Sequence, residues 1–242
     1  PTGAGKTRVA VQALIEAIRE RELDAPILWV AQSDELCEQA VQTWRYVWRC
    51  LGPDDRLLIS RLWSSNEAES YEGHAHVIVG TLAKLSICID KPEYDWLRRA
   101  GVIVIDEAHA AVATSYTQFL DWCGLGVVHR RDEAVLIGLT ATPFRGISEQ
   151  ETKRLVKRFD NRRLDEGMLG DDPYRQLQQM GIIAHVEHEL LEGAKLELEE
   201  AEIRQVENFG QLPKSVGERL GLDRERNRRL VESIRRRAEE TT

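Results

Sequence analysis

The sequence predicts an α/β domain built on a parallel sheet with helices on its faces, and three observations carry that prediction. Short apolar, β-branched runs alternate with helical periodicities through most of the chain. A glycine-bearing loop, Gly3-Ala4-Gly5-Lys6-Thr7, leads straight into an amphipathic helix. A continuously apolar run, Val102 to Ile105, ends in two adjacent carboxylates, Asp106 and Glu107. With 242 residues and 42% of them hydrophobic, the chain has enough apolar surface for one large or two small cores, which excludes a mainly disordered protein.

Taken in order, the first helix should carry a stripe of Val9, Ala13, Leu14, Ala17 and Ile18. A strand follows at 27–31, and a second helix has Leu36, Ala40, Trp44, Val47 and Trp48 on its inner face, with Ser33 as its N-cap. Further strands are expected at 57–63, 76–80, 102–106 and 134–140. Several are apolar throughout, as strands covered on both faces should be.

The character changes near residue 190. Between Glu187 and Glu207 eight acidic residues face two basic ones, and between Asp223 and Glu240 seven arginines face five acids on a helix striped by Leu230, Val231, Ile234 and Ala238. Both runs read as solvated helix faces. The organisation expected is a nucleotide-binding domain over 1–190, an acidic helical linker over 191–222, and the start of another domain over 223–242.

The formal net charge of −8 argues against a protein that coats nucleic acid non-specifically, while leaving room for one that grips a few phosphates locally. Cys37, Cys50, Cys88 and Cys123 form no CxxC pair, so reduced thiols are expected rather than a disulfide framework or a zinc ribbon. No apolar run approaches the ~18 residues of a membrane span and no signal-peptide pattern opens the chain, so a soluble, cytoplasmic location is expected.

Two segments carry chemistry. Pro1 to Thr7 fits all but the first position of G-x-x-x-x-G-K-[ST]. In such a loop the glycines let successive N–H groups turn toward phosphate oxygens at the positive end of the following helix. Thr2, Gly3, Ala4, Gly5, Lys6 and Thr7 are therefore the candidate ATP-binding residues, with Lys6 on the β- and γ-phosphates and the Thr7 hydroxyl on Mg²⁺. The strand that normally precedes such a loop is expected upstream of Pro1. The second segment, Val102 to His109, places Asp106 and Glu107 at the carboxyl end of a buried strand, where open α/β sheets bind their ligands. Asp106 is the second candidate Mg²⁺ ligand, and Glu107 the candidate base for an attacking water.

These two motifs, ending in Asp106-Glu107-Ala108-His109, resemble the first, RecA-like motor lobe of superfamily 2 helicases and translocases. The resemblance covers roughly residues 1 to 190 and extends to three further segments. Leu139-Thr140-Ala141-Thr142-Pro143-Phe144-Arg145 resembles motif III, which implies that Thr140, Ala141 and Thr142 couple the nucleotide and nucleic-acid sites. Ala31-Gln32-Ser33 resembles motif Ia and Val79-Gly80-Thr81 motif Ib, which implies that Ala31, Gln32, Ser33, Gly80 and Thr81 face a nucleic-acid backbone. Both are strand-to-helix junctions, which present N–H groups and small hydroxyls to phosphates. The resemblance gives His109 a catalytic role at the lobe interface. The nearest branch is the type III restriction and repair-translocase group, which favours DNA over RNA. Residues 181–191 resemble the strand leaving the first lobe, and 226–230 the start of a second lobe in cis.

The implied function is an ATP- and Mg²⁺-dependent nucleic-acid motor. The family's adenine-reading glutamine would lie before residue 1 and its arginine finger in the second lobe, so weak turnover is expected of this chain alone; the arginines of 224–237 do not match that finger. Two other readings stay open from the residues themselves: a P-loop ATPase that moves protein, and a binding module without turnover. The histidines at 74, 76, 185 and 188 lack metal-ligand spacing. Trp44 and Trp48 read as core, while Trp63, followed by Ser64, Ser65 and Asn66, is a candidate base-stacking residue.

Overall fold

The computed structural model describes residues 4–126, 131, 133–141, 149–164, 172–184, 198–203 and 213–240. By its internal packing the chain divides into two compact units, Pro1–Ala184 and His185–Thr242.

The first unit contains a five-stranded parallel sheet of β1 (Ile27–Ala31), β2 (Leu57–Leu62), β3 (Ala75–Thr81), β4 (Val102–Asp106) and β5 (Val135–Leu139), in the order β2-β3-β1-β4-β5. Each strand lies within a residue or two of its expected limits. β1 is central, aligned with β3 from Ile27 opposite Val77 and with β4 from Ile27 opposite Val102.

Alternation along the strands builds two cores. Ile27, Trp29, Ala31, Val77, Val79, Val102 and Val104 face α1 (Lys6–Arg19) and α2 (Asp34–Leu51). Leu28, Val30, Ile78, Ile103, Ile105 and Leu136 face α3 (Leu82–Cys88), the 3₁₀ helix Pro92–Arg99 and α4 (Thr114–Trp122). β1, β3 and β4 are buried almost throughout, which is why they read as unbroken apolar runs.

The second helix follows the expected stripe closely. Cys37, Ala40, Val41, Trp44 and Val47 are buried, Leu36 and Trp48 pack against them partly covered, and the Ser33 hydroxyl accepts from the Leu36 N–H at 3.3 Å. The first helix is rotated from its expected face: Val11, Leu14 and Ile15 are buried, whereas Val9 is 65% exposed. Two residues are about 200° of helix, so once Val11 faces the sheet Val9 must face away. Trp63 is also corrected. It is buried in the α1/α2 core with the Arg61 guanidinium over its ring, so it offers no open face for a base. Cys37, Cys88 and Cys123 are buried and Cys50 exposed, all four reduced.

A short helix, α5 (Glu149–Arg158), packs on the 3₁₀ helix Ala108–Val112, and the Arg158 guanidinium donates to the Thr117 hydroxyl at 2.7 Å. The next, α6 (Pro173–Gln179), ends in a glycine turn: Gly181 takes φ +67°, its N–H reaches the Gln178 carbonyl, and that of Ile182 reaches Leu177. The strand expected over 181–191 is therefore a helix-terminating turn at its start, because Gly181 adopts the left-handed backbone that closes helices. Residues 185–191 of that expectation lie outside the described residues.

The second unit holds α7 (Lys214–Leu222) and α8 (Arg224–Glu240). Glu202 accepts from the Ser215 hydroxyl and from Arg219, each at 2.6 Å, and Val216 is buried. No residue of α8 is buried, and its apolar stripe leaves Val231 and Ile234 exposed. Among the described residues no helix is long and apolar enough to cross a membrane.

Candidate nucleotide site and carboxyl-edge junctions

The candidate site lies at the carboxyl ends of the strands. Gly5 caps α1 with φ +76°, a backbone that costs an L-residue energy and costs glycine little, so the chain can turn from loop to helix there. Lys6 is the first helical residue, close enough for its charge to act on Asp106. Thr2 and Gly3 lie outside the described residues.

Asp106 ends β4 with its side chain half-buried, and burial raises its pKa from the ordinary aspartate value. The Glu107 N–H, donating to Asp106 Oδ1 at 3.0 Å, and the Lys6 charge oppose that rise, while the Glu107 charge adds to it. Glu107 itself takes φ +52°, strained for a residue with a side chain, and this turn swings the chain off the sheet into the 3₁₀ helix that carries His109.

His109 links two segments. Its Nδ1 lies 3.2 Å from Glu107 Oε2 and 3.4 Å from Thr140 Oγ1. A carboxylate only accepts, so the proton belongs on Nδ1 and is shared toward Glu107. Thr140 reaches this position because β5 runs beside β4, with Asp106 opposite Leu139. Gly138 helps: a Cβ there would fall 2.9 Å from that of Ala108 and 2.7 Å from the Phe159 ring, so only glycine lets β5 lie this close. Ala141 follows, partly buried, and Thr142 lies outside the described residues.

The two junctions expected to meet nucleic acid flank the same edge. Ala31 and Gly80 are buried and can offer only backbone. Thr81 is 6% exposed and spends its hydroxyl on the Lys84 N–H at 3.4 Å, capping α3 as Ser33 caps α2. Gln32 and Ser33 are exposed. Gln32 does something the sequence does not reveal: its Nε2 donates a long, 3.5 Å hydrogen bond to the carbonyl of Glu107. No spacing rule connects residues 32 and 107; they meet because β1 is the neighbour of β4.

Could the site hold a metal? Among the described residues no group of three or more His, Cys, Asp or Glu is placed to bind one. A single carboxylate with a hydroxyl is the donor set that suits Mg²⁺ carried in with phosphates, and an oxygen-only set fits that ion better than zinc or copper.

The sequence from residue 1 to 145 matches the family described as Type III restriction enzyme, res subunit, well over half of the chain. The chain belongs to that family. Its first unit is a five-stranded parallel sheet with helices on both faces. Among solved structures it is similar to the Hef helicase domain of Pyrococcus furiosus, with 23% identity, a TM-score of 0.46, and coverage of 66% of this chain and 32% of that one. It is also similar to Saccharomyces cerevisiae Dbp5 bound to RNA and ADP BeF3, with 18% identity, a TM-score of 0.41, and coverage of 58% and 34%. The chain thus spans about a third of the solved chains it matches. No curated protein sequence matches it.

Proposed function

We propose that this lobe binds and hydrolyses ATP to drive a motor along nucleic acid, DNA in preference to RNA, in concert with a second lobe in cis that begins near residue 223. The acidic stretch over 191–222 is then the linker between them, and the cytoplasm the place of work. The observation that carries the reading is the link from Glu107 through His109 to Thr140, set beside Lys6 and Asp106 on one sheet edge.

Each residue then has a part. Backbone N–H groups of 2–7 and the Lys6 ammonium hold the β- and γ-phosphates and neutralise their charge. Thr7 and Asp106 would hold Mg²⁺, which supplies further charge neutralisation on the phosphate oxygens. Glu107 orients the attacking water and takes its proton. In the present arrangement His109 holds the Glu107 carboxylate, so productive hydrolysis requires the His109 and Thr140 contact to shift. Such a shift is how motif III residues Thr140, Ala141 and Thr142 would transmit nucleotide state to the junctions at Ala31, Gln32, Ser33, Gly80 and Thr81.

The test is turnover by the full-length protein with and without single-stranded DNA or RNA. Lys6→Ala should lose ATP binding, whereas Glu107→Gln should bind ATP and hydrolyse it at least a hundredfold more slowly, the scale general-base loss produces. Turnover that no nucleic acid stimulates would remove the motor reading, and a Glu107→Gln enzyme within a few-fold of the parent would remove Glu107 as the base.

A further inference from the structure

A pocket of about 440 Å³ opens on the carboxyl edge of the sheet, between α3 and the segment that follows Glu107. Leu82, Ala83 and Ser86 line one wall and Ala110 and Ser115 the other; Tyr116 also lines it, and Gln32 stands at its head. Its volume lies within the ordinary range of small-ligand sites.

We propose that this pocket receives one nucleobase of the bound strand, and that Gln32 reports its occupation to Glu107. The inference rests on the motor reading above and adds to it a contact with the base, where the junction motifs offer only groups suited to phosphate.

Four features point to a base. None of the lining residues carries a charge, which suits a neutral, flat group and not a phosphate or an acidic peptide. The polar groups are few and mixed: the Ser86 hydroxyl is donated to the Leu82 carbonyl at 2.9 Å and so offers lone pairs, while Gln32 keeps an amide oxygen and a second N–H after its bond to Glu107. Base edges present the same mixture of donors and acceptors. Tyr116 adds an aromatic residue to an otherwise small and aliphatic lining, which suits the flat face of a base. Finally, the pocket is continuous with both junctions: Leu82 follows Thr81, and Gln32 precedes Ser33. A strand held by phosphates at those two places would lay a base over the opening.

The same geometry supplies coupling. An occupant that draws the Gln32 amide toward itself takes it from the Glu107 carbonyl, whose residue already sits at φ +52°. A strained backbone relaxes when a restraint is withdrawn, and here that relaxation would re-aim the Glu107 carboxylate.

The experiment uses the full-length protein with two probes, a single-stranded oligodeoxythymidylate and the same backbone without bases. The parent should bind the intact strand about tenfold more tightly. Ala83→Trp fills the pocket from an exposed helix position and should bind both strands alike, at the affinity of the baseless one. Ser115→Phe fills it from the opposite wall and carries the same test should Ala83→Trp melt early. Gln32→Leu, at saturating intact strand, should show a ratio of stimulated to basal turnover near one. If Ala83→Trp and Ser115→Phe keep the parent's preference for bases, or Gln32→Leu keeps its stimulation, the proposal is overturned and the motor reading stands. If the parent neither binds nor is stimulated by any strand, both fall.

Discussion

Asp106, the proposed Mg²⁺ ligand, works against the fold. Its folded pKa is raised, chiefly by burial, so it favours folding at pH values below its unfolded pKa and that contribution is lost as pH rises through the folded pKa. At neutral pH the buried carboxylate is thus a net cost. Asp106→Asn retains the oxygen that accepts from the Glu107 N–H and sheds the charge. It should melt at a higher temperature than the parent at pH 7 while losing Mg²⁺-dependent ATP binding, and a melting curve beside a nucleotide titration checks both. His76 behaves in the opposite sense. It is 4% exposed, stacked on Trp96 and bonded to Ser60 at 2.9 Å, and burial pushes its pKa down to about 4. The folded chain holds it neutral while the unfolded chain protonates it near 6.5, so its contribution is complete above pH 6.5 and fades as pH falls toward 4. Denaturant midpoints measured across that window should decline in the parent, and the slope should be shallower in His76→Phe.

At the scale of elements, the two junctions proposed to meet nucleic acid are held by different devices and should fail differently. Ser33 caps α2 with an exposed hydroxyl, so Ser33→Ala should cost about 1 kcal/mol, the worth of a cap. Gly80 is held by close approach: a Cβ there would sit 2.9 Å from the Leu62 carbonyl oxygen in the paired strand. That oxygen is backbone and cannot turn aside, so Gly80→Ala should cost roughly 1–3 kcal/mol, as overpacking does. Chemical denaturation of the two variants ranks them, and the reverse order would mean that β2 gives way more readily than its pairing with β3 implies. The capping of α2 was legible in the sequence because Ser33 stands directly before an apolar stripe. The packing need at Gly80 was not, since it depends on β2 being its neighbour.

For the whole molecule the charge distribution decides the mode of binding. The net charge is −8, and the carboxyl-edge junctions offer hydroxyls and backbone rather than a field of arginines. Binding to a strand should therefore release few counterions, giving a slope of log affinity against log salt equivalent to roughly two to five phosphates. A steep slope that collapses when the arginines of α8 are neutralised would instead make that helix the binding element. Several of those arginines are already engaged along the helix, Arg228 and Arg229 with Glu225 and Arg237 with Glu240, which favours the shallow slope.

Periodicity, caps and the two chemical motifs are local properties, and the sequence alone determined them: five strands at nearly their observed limits, the Ser33 cap, the glycine loop before α1, and paired carboxylates at the end of an apolar run. Strand order is different. It depends on which distant segments pair, and no window of residues encodes that. Only the tertiary structure decided that β1 lies between β3 and β4. That order brings Gln32 to the Glu107 carbonyl and opens the pocket between α3 and α4. The same holds for His109 and Thr140, 31 residues apart, which meet because β5 lies beside β4 and Gly138 leaves room for Ala108. It holds too for the turn of α1 that buried Val11 and exposed Val9, since a helix with apolar residues on more than one side takes its orientation from the sheet it packs against.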